Sequence, residues 1–268
     1  MFFPSISSEV STEPFSLQVS RGQIAGHRTL HIFGANPAVS TTLSTVWSGG
    51  SGVYAYPTVA TAVKVNSTAT ADDVASTGAR TVMVWGLDTN YDEISEVVEL
   101  DGRTQVETDA EFLRVFGMQV LSAGSGATAA GTIYVGTGAL DGNFKPTVVY
   151  SKAVLGDNAS INGFYTVPAG HAAYLTYGSI ATGSAVNNKF VTGRLIVRPQ
   201  GGVFATAAIA TLLNQQADFP FNYPIRLPEK TDIEARAIST GDTFEVSTHF
   251  EIVLVKGETA PAYTVPRY

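Results

Sequence analysis

Four histidines, His27, His31, His171 and His249, are the side chains best suited to bind a metal or move a proton near neutral pH. His27 and His31 are four residues apart, a spacing that brings two imidazoles to one ion only on a helix. The run Arg28-Thr29-Leu30-His31-Ile32-Phe33 instead alternates like a strand. On a strand the pair would share a face about 13–14 Å apart, too far for one ion. Surface or structural histidines are expected. The densest acidic cluster, Asp88, Asn90 and Asp92, has the spacing of the first three ligands of a calcium loop. Glu93 stands where such a loop needs Gly, and its twelfth position, Glu99, falls inside a strand-like run. An Asx-rich turn is the simpler reading, and a calcium ion there is left open.

Other chemistry finds less support. Residues 123–131 (AGSGATAAG) are Gly-rich but lack the Lys and the following helix of a phosphate loop, so a flexible hairpin tip is expected. Gly49-Gly50-Ser51-Gly52 is a turn, not a nucleophile elbow. Nothing raises a carboxylate pair above chance, so no enzyme, cofactor or metal is expected. The two Trp residues, Trp47 and Trp85, offer a carbohydrate-binding platform as the lowest-ranked reading, because Trp85 lies in a strand that reads as buried.

Composition narrows the class further. Across 268 residues, charged residues are 15% and apolar ones 44%, with 26 Gly. Small, β-branched and turn-forming residues replace the missing charge, which favours strands and tight turns. The absence of Cys excludes a disulfide framework and thiolate chemistry. A formal charge of −7 with scattered Lys and Arg argues against nucleic acid as a partner. The start, MFFPSISSEV, has no signal-peptide pattern, and no run is long and apolar enough for a membrane helix. Asn66-Ser67-Thr68 and Asn158-Ala159-Ser160 match the glycosylation pattern by chance.

An all-β fold of two sandwich or jelly-roll-like modules is predicted. Phe15, Leu17 and Val19 alternate like a strand, as do Val63 and Val65 and the runs 80–85 and 112–121. In residues 243–256, Phe244, Val246, Phe250, Ile252 and Leu254 share one face, opposite Glu245, Ser247, His249 and Glu251. Asp101-Gly102 reads as a hairpin turn. Residues 207–216 are the one helix candidate, with strand or loop equally open. The expected organisation is an arm over 1–14, a β-module over 15–140, a linker over 141–159, a second module over 160–257 and an arm over 258–268. The aromatics expected at subunit contacts are Phe2, Phe3, Tyr165, Tyr174, Tyr177, Phe219, Phe221, Tyr223, Tyr263 and Tyr268. Residues 217–224 (ADFPFNYP) are too Pro-interrupted for a central strand.

Several segments carry a family resemblance. GFYTVPAGHAAYLTYGSI (163–180), RLIVRPQGGVF (194–204) and LPEKTDI (227–233) resemble a module of virion structural proteins of tailed bacteriophages. Residues 85–96 and 112–115 are similar to segments of podovirus structural proteins. The resemblance implies a virion component made in the host cytoplasm. A capsid decoration (cement) protein on the shell exterior is favoured, binding the major capsid protein and copies of itself as a trimer. A tail adaptor, nozzle or fibre-associated protein is the alternative. Pro168-Ala169-Gly170 is then expected to turn a sheet corner.

Overall fold

A computed structural model of the protein describes residues 13–183, 189–213 and 215–258. A short helix α1 (Phe15–Ser20) precedes β1 (His27–Val39), β2 (Ser44–Thr45), β3 (Thr61–Ser67), β4 (Ala79–Leu87) and β5 (Glu93–Glu99). Then come β6 (Val106–Phe112), β7 (Arg114–Ala123), β8 (Ile133–Leu140), β9 (Pro146–Ala153) and β10 (Phe164–Thr166). The chain continues through β11 (His171–Thr182), β12 (Val191–Arg198), β13 (Ala205–Leu212), β14 (Gln216–Leu227), β15 (Asp232–Ser239) and β16 (Phe244–Lys256). The all-β expectation holds.

Eight of these strands form two antiparallel sheets, ordered β1-β16-β11-β14 and β10-β15-β12-β13, with β2 continuing the β10 edge along β15. Counting only these eight, the orders are first-eighth-third-sixth and second-seventh-fourth-fifth, the double Greek key of a jelly roll. The reason is legible in β16. Phe250, Ile252 and Leu254 are at most 1% exposed, while Glu245 and Ser247 on the other face are exposed. Burying each such side chain contributes about 1.5–3 kcal/mol. Leu175, Leu227, Ile233 and Val197 from both sheets complete this core. Where β1 passes under residues 46 and 163, only Gly fits. A Cβ on Gly34 would lie 2.2 Å from the Val46 carbonyl oxygen and 2.6 Å from the Gly163 Cα.

Strands β3 to β9 build a second lobe inserted between β2 and β10. Its sheets, β6-β3-β8-β9 and β5-β4-β7, enclose Val63, Val82, Val84, Phe112, Met118 and Ile133. The strand pairing therefore divides the chain differently from a boundary near residue 140. β1 and β2, which fall within the expected first module, pair with β16 and β15.

A buried ionic tie joins the lobes. Arg114 of β7 donates to Asp232 of β15 through Nε (2.9 Å) and Nη2 (3.2 Å). Arg198 of β12 donates to the same carboxylate at 2.9 and 2.6 Å, and the Thr166 hydroxyl donates at 2.6 Å. Burial works against the Arg114 charge, but the Asp232 hydrogen bonds and charge outweigh it, so the guanidinium stays above its ordinary pKa. Both guanidiniums lie over the Tyr56 ring, at 5.1 and 4.7 Å from its centroid.

Several local expectations are corrected. Residues 15–20 form α1, not a strand. Pro14 caps its start and Gly22, at φ 69°, follows its end. Of its three alternating apolar residues only Val19 is buried. Of the helix, strand and loop left open for residues 207–216, the strand is found: β13 ends at Leu212 and β14 begins at Gln216, with residue 214 between them not described. Asp101-Gly102 does not close a hairpin, because β5 pairs with β4 and β6 pairs with β3. It is a corner between sheets. Residues 124–131 are not a free hairpin tip either. The Ala130 and Gly131 amides donate to the buried Asp72 carboxylate, and the Gly124 and Gly126 amides bond the Gly78 and Thr77 carbonyls. Trp47 is the buried tryptophan, at 5% exposure, while Trp85 is half-buried. That removes Trp47 as a carbohydrate platform.

Three other expectations are met. Pro168-Ala169-Gly170, with Gly170 at φ 69°, carries the chain from one jelly-roll sheet to the other. The Ala169 amide donates to the Tyr91 carbonyl and the Gly170 amide to Glu229. Residues 217–224 lie on β14, an edge strand, where a missing Pro amide faces no neighbour. Asp88 forms an Asx turn, accepting from the Asn90 and Asp92 amides at 2.8 and 2.9 Å.

Asp141 does the same in the β8–β9 turn, accepting from the Asn143 and Lys145 amides. The Lys145 and Asn143 bonds hold its carboxyl below the ordinary pKa. A folded-state pKa below the unfolded one gives stability that is present above the unfolded value and lost as pH falls through the folded one. Carboxyl NMR titration is expected to find Asp141 below free aspartate, and an ordinary value would remove this turn's role.

Candidate functional site

The outer face of the β1-β16-β11-β14 sheet is set by register. His31 lies opposite Glu251, and Glu251 opposite Tyr177. One pair along, Phe33 lies opposite His249, His249 opposite Ser179, and Ser179 opposite Asp218. Residues directly opposite in an antiparallel ladder share a face. The same alternation that sends Phe250 and Ile252 inward therefore gathers two imidazoles and a carboxylate outside. The Tyr177 hydroxyl donates to Asp218 beside them.

His31 Nδ1 is 3.3 Å from His249 Nε2 and 3.5 Å from Glu251 Oε1, and His249 Nε2 is 3.8 Å from that same oxygen. The two imidazole planes are 14° apart, and Phe33 stacks on His249 at 4.4 Å between centroids. Burial pushes the His249 pKa below its ordinary value; Glu251 partly offsets this and His31 adds to it. Its imidazole therefore favours the neutral form, with one lone pair available. Among the described residues, this is the one group of three such side chains with ligand atoms all within 4.8 Å of one another.

Sequence spacing did not bring these groups together. His27, paired with His31 by number, sits at the start of β1 opposite Val255. Its true counterpart, His249, is 218 residues from His31. The only available signal was that His31, His249 and Glu251 all occupy the polar phase of alternating strands.

The expected contact aromatics divide. Phe2, Phe3, Tyr263 and Tyr268 lie outside the described residues. Tyr174 and Tyr177 stand on the outer face, where the Tyr174 hydroxyl donates to Glu258. Phe219 and Phe221 are half-buried and pack towards the cores between the sheets. Tyr223 is 92% exposed. Tyr165 is a correction: at 4% exposure, its ring packs against Phe116 at 4.5 Å and offers no surface.

At one side of the jelly roll, β13 and β14 are the terminal strands of the two sheets. β14 carries Pro220 and Pro224, which blunt an edge. β13 (ATAAIATL) has neither Pro nor charge, and Ile209 on it and Leu213 just beyond are about half exposed. A cleft of about 600 Å³ elsewhere includes Tyr56, Tyr91, Arg114 and Arg198 in its lining. Both arginines there are already committed to Asp232.

Strand order defines a jelly roll with an inserted β-lobe and a packed apolar interior, in which β13, among the described residues, pairs with β12 alone. Among solved structures, the chain is similar to that of the infectious bursal disease virus Gx strain. The identity is 12%, covering 88% of this chain and 73% of that one, with a TM-score of 0.25. It is likewise similar to the infectious bursal disease virus VP2 subviral particle, at 11% identity, 87% and 72% coverage and a TM-score of 0.23. No protein-family model and no curated protein matches. Such TM-scores fall short of a shared fold, so the fold assignment rests on strand order alone.

Proposed function

We propose that the protein is a virion structural protein, and more finely a capsid decoration protein that binds the major capsid protein and copies of itself as a trimer. The observation that carries this reading is a jelly roll whose interior is filled by apolar side chains while β13, among the described residues, pairs on one side only, with β12. Jelly rolls serve shell proteins, lectins and cupins. Here the core clusters occupy the interior where a cupin centre would sit, and the buried Trp47 weakens the lectin reading. This is an argument from fold class, joined to the phage-like segments 163–180, 194–204 and 227–233. An edge strand can take a further strand from a neighbour, and the half-exposed Ile209 on β13 and Leu213 just beyond it supply apolar contact there.

The test adds purified protein to shells lacking it and measures bound copies, with native mass read in parallel. A trimer that binds shells is expected. Ile209→Lys should lower occupancy more than about tenfold while changing stability by less than about 0.5 kcal/mol, as exposed substitutions do. A six- or twelve-fold ring, or full occupancy by Ile209→Lys, would overturn the decoration assignment.

A further inference from the structure

We propose that His31, His249 and Glu251 form a surface site for a divalent cation of the zinc class, with a further coordination position open to water or an outside donor. The inference is independent of the shell reading. Three observations carry it. The ligand set is two imidazole nitrogens and one carboxylate oxygen, which suits zinc and its transition-metal neighbours more than calcium or magnesium. The separations of 3.3, 3.5 and 3.8 Å also suit it. A point equidistant from the three atoms lies roughly 2 Å from each, the length of a Zn–N or Zn–O bond. Finally, the ligands stand on two neighbouring strands in fixed register, His31 opposite Glu251 and Phe33 opposite His249, and the stacked Phe33 ring holds the His249 plane.

Charge is consistent with a cation. Among the described residues, the ion-pair partners of Glu251 are the two histidines, with no Lys or Arg within reach of its carboxylate. The site faces outward, since the His31 and Glu251 side chains are 55% and 38% exposed. Exchange with solvent ions needs no opening of the fold. The competing arrangement is an imidazole-to-imidazole hydrogen bond at the same 3.3 Å, which requires no ion.

Isothermal titration of the untagged full chain with zinc chloride separates the two, with Co²⁺ absorption reporting coordination. One ion per chain is expected, with zinc raising the melting temperature. His31→Ala and Glu251→Gln should each weaken binding more than about tenfold, since even changes behind the ligands cost that much. His27→Ala and His171→Ala should leave it unchanged. His31 is exposed, so its variant is expected to keep the wild-type circular dichroism even if His249→Ala fails to fold. No saturable binding, or binding that survives His31→Ala unchanged, or loss on His27→Ala instead, would overturn the site.

Discussion

Asp232→Ala is expected to destabilise the protein by about 3–5 kcal/mol, because it leaves a guanidinium buried without its counter-charge. The Arg114 side chain is 8% exposed and that of Arg198 28%, so most of the penalty falls on Arg114. Its remaining partners, the Pro57 and Leu113 carbonyls, satisfy hydrogen bonds but carry no net charge. The Thr166 hydroxyl also loses its acceptor. Because the pair is shielded from solvent, added salt should change the loss little. Denaturant unfolding at constant m-value measures it. The double replacement Arg114→Met with Asp232→Leu should recover much of the loss, since a buried pair often exchanges for apolar side chains at little cost. A loss below about 1 kcal/mol for Asp232→Ala would mean that the tie does not hold the lobes.

The strand character of this chain was open to inspection, and its pairing was not. β16 could be read from the phase of Phe244, Val246, Phe250, Ile252 and Leu254, because burial on one face acts on every second residue. The same local reasoning failed at Phe15, Leu17 and Val19, where alternation occurs in a helix too short to show its own period. It failed differently at Asp101-Gly102. The turn forms, but its flanking strands leave for different sheets, and no local feature records that choice. The His31, His249 and Glu251 cluster shows the same limit at the candidate site. Each residue lies on a legible polar face, yet their meeting depends on β1 pairing with a strand near the other end of the chain. The buried roles of Asp232 and Glu234 were equally hidden, because an acidic residue in a strand reads as its exposed face until a partner arginine is seen. Likewise, the requirement for Gly at position 34 comes from Val46 and Gly163, not from its own neighbours.

Phe250→Ala tests whether β16 has the two faces its register assigns, and a loss of about 3–5 kcal/mol is expected. Phe250 is fully buried, opposite Ile32 on β1 and Gly178 on β11. No side chain from Gly178 can fill the space that a lost ring leaves, and the close packing around it limits collapse. For a domain of this size the melting temperature should fall by roughly 10 °C. Phe250→Leu, which keeps most of the volume, should cost less than about 1.5 kcal/mol. Ser247→Ala, on the exposed face of the same strand, should stay within about 0.5 kcal/mol. A one-residue slip of β16 would exchange these outcomes, because it turns every side chain to the opposite face. Such a slip would also turn His249 and Glu251 into the core, away from His31. Comparable losses at positions 247 and 250 would therefore remove both the jelly-roll register and the outward cluster that depends on it.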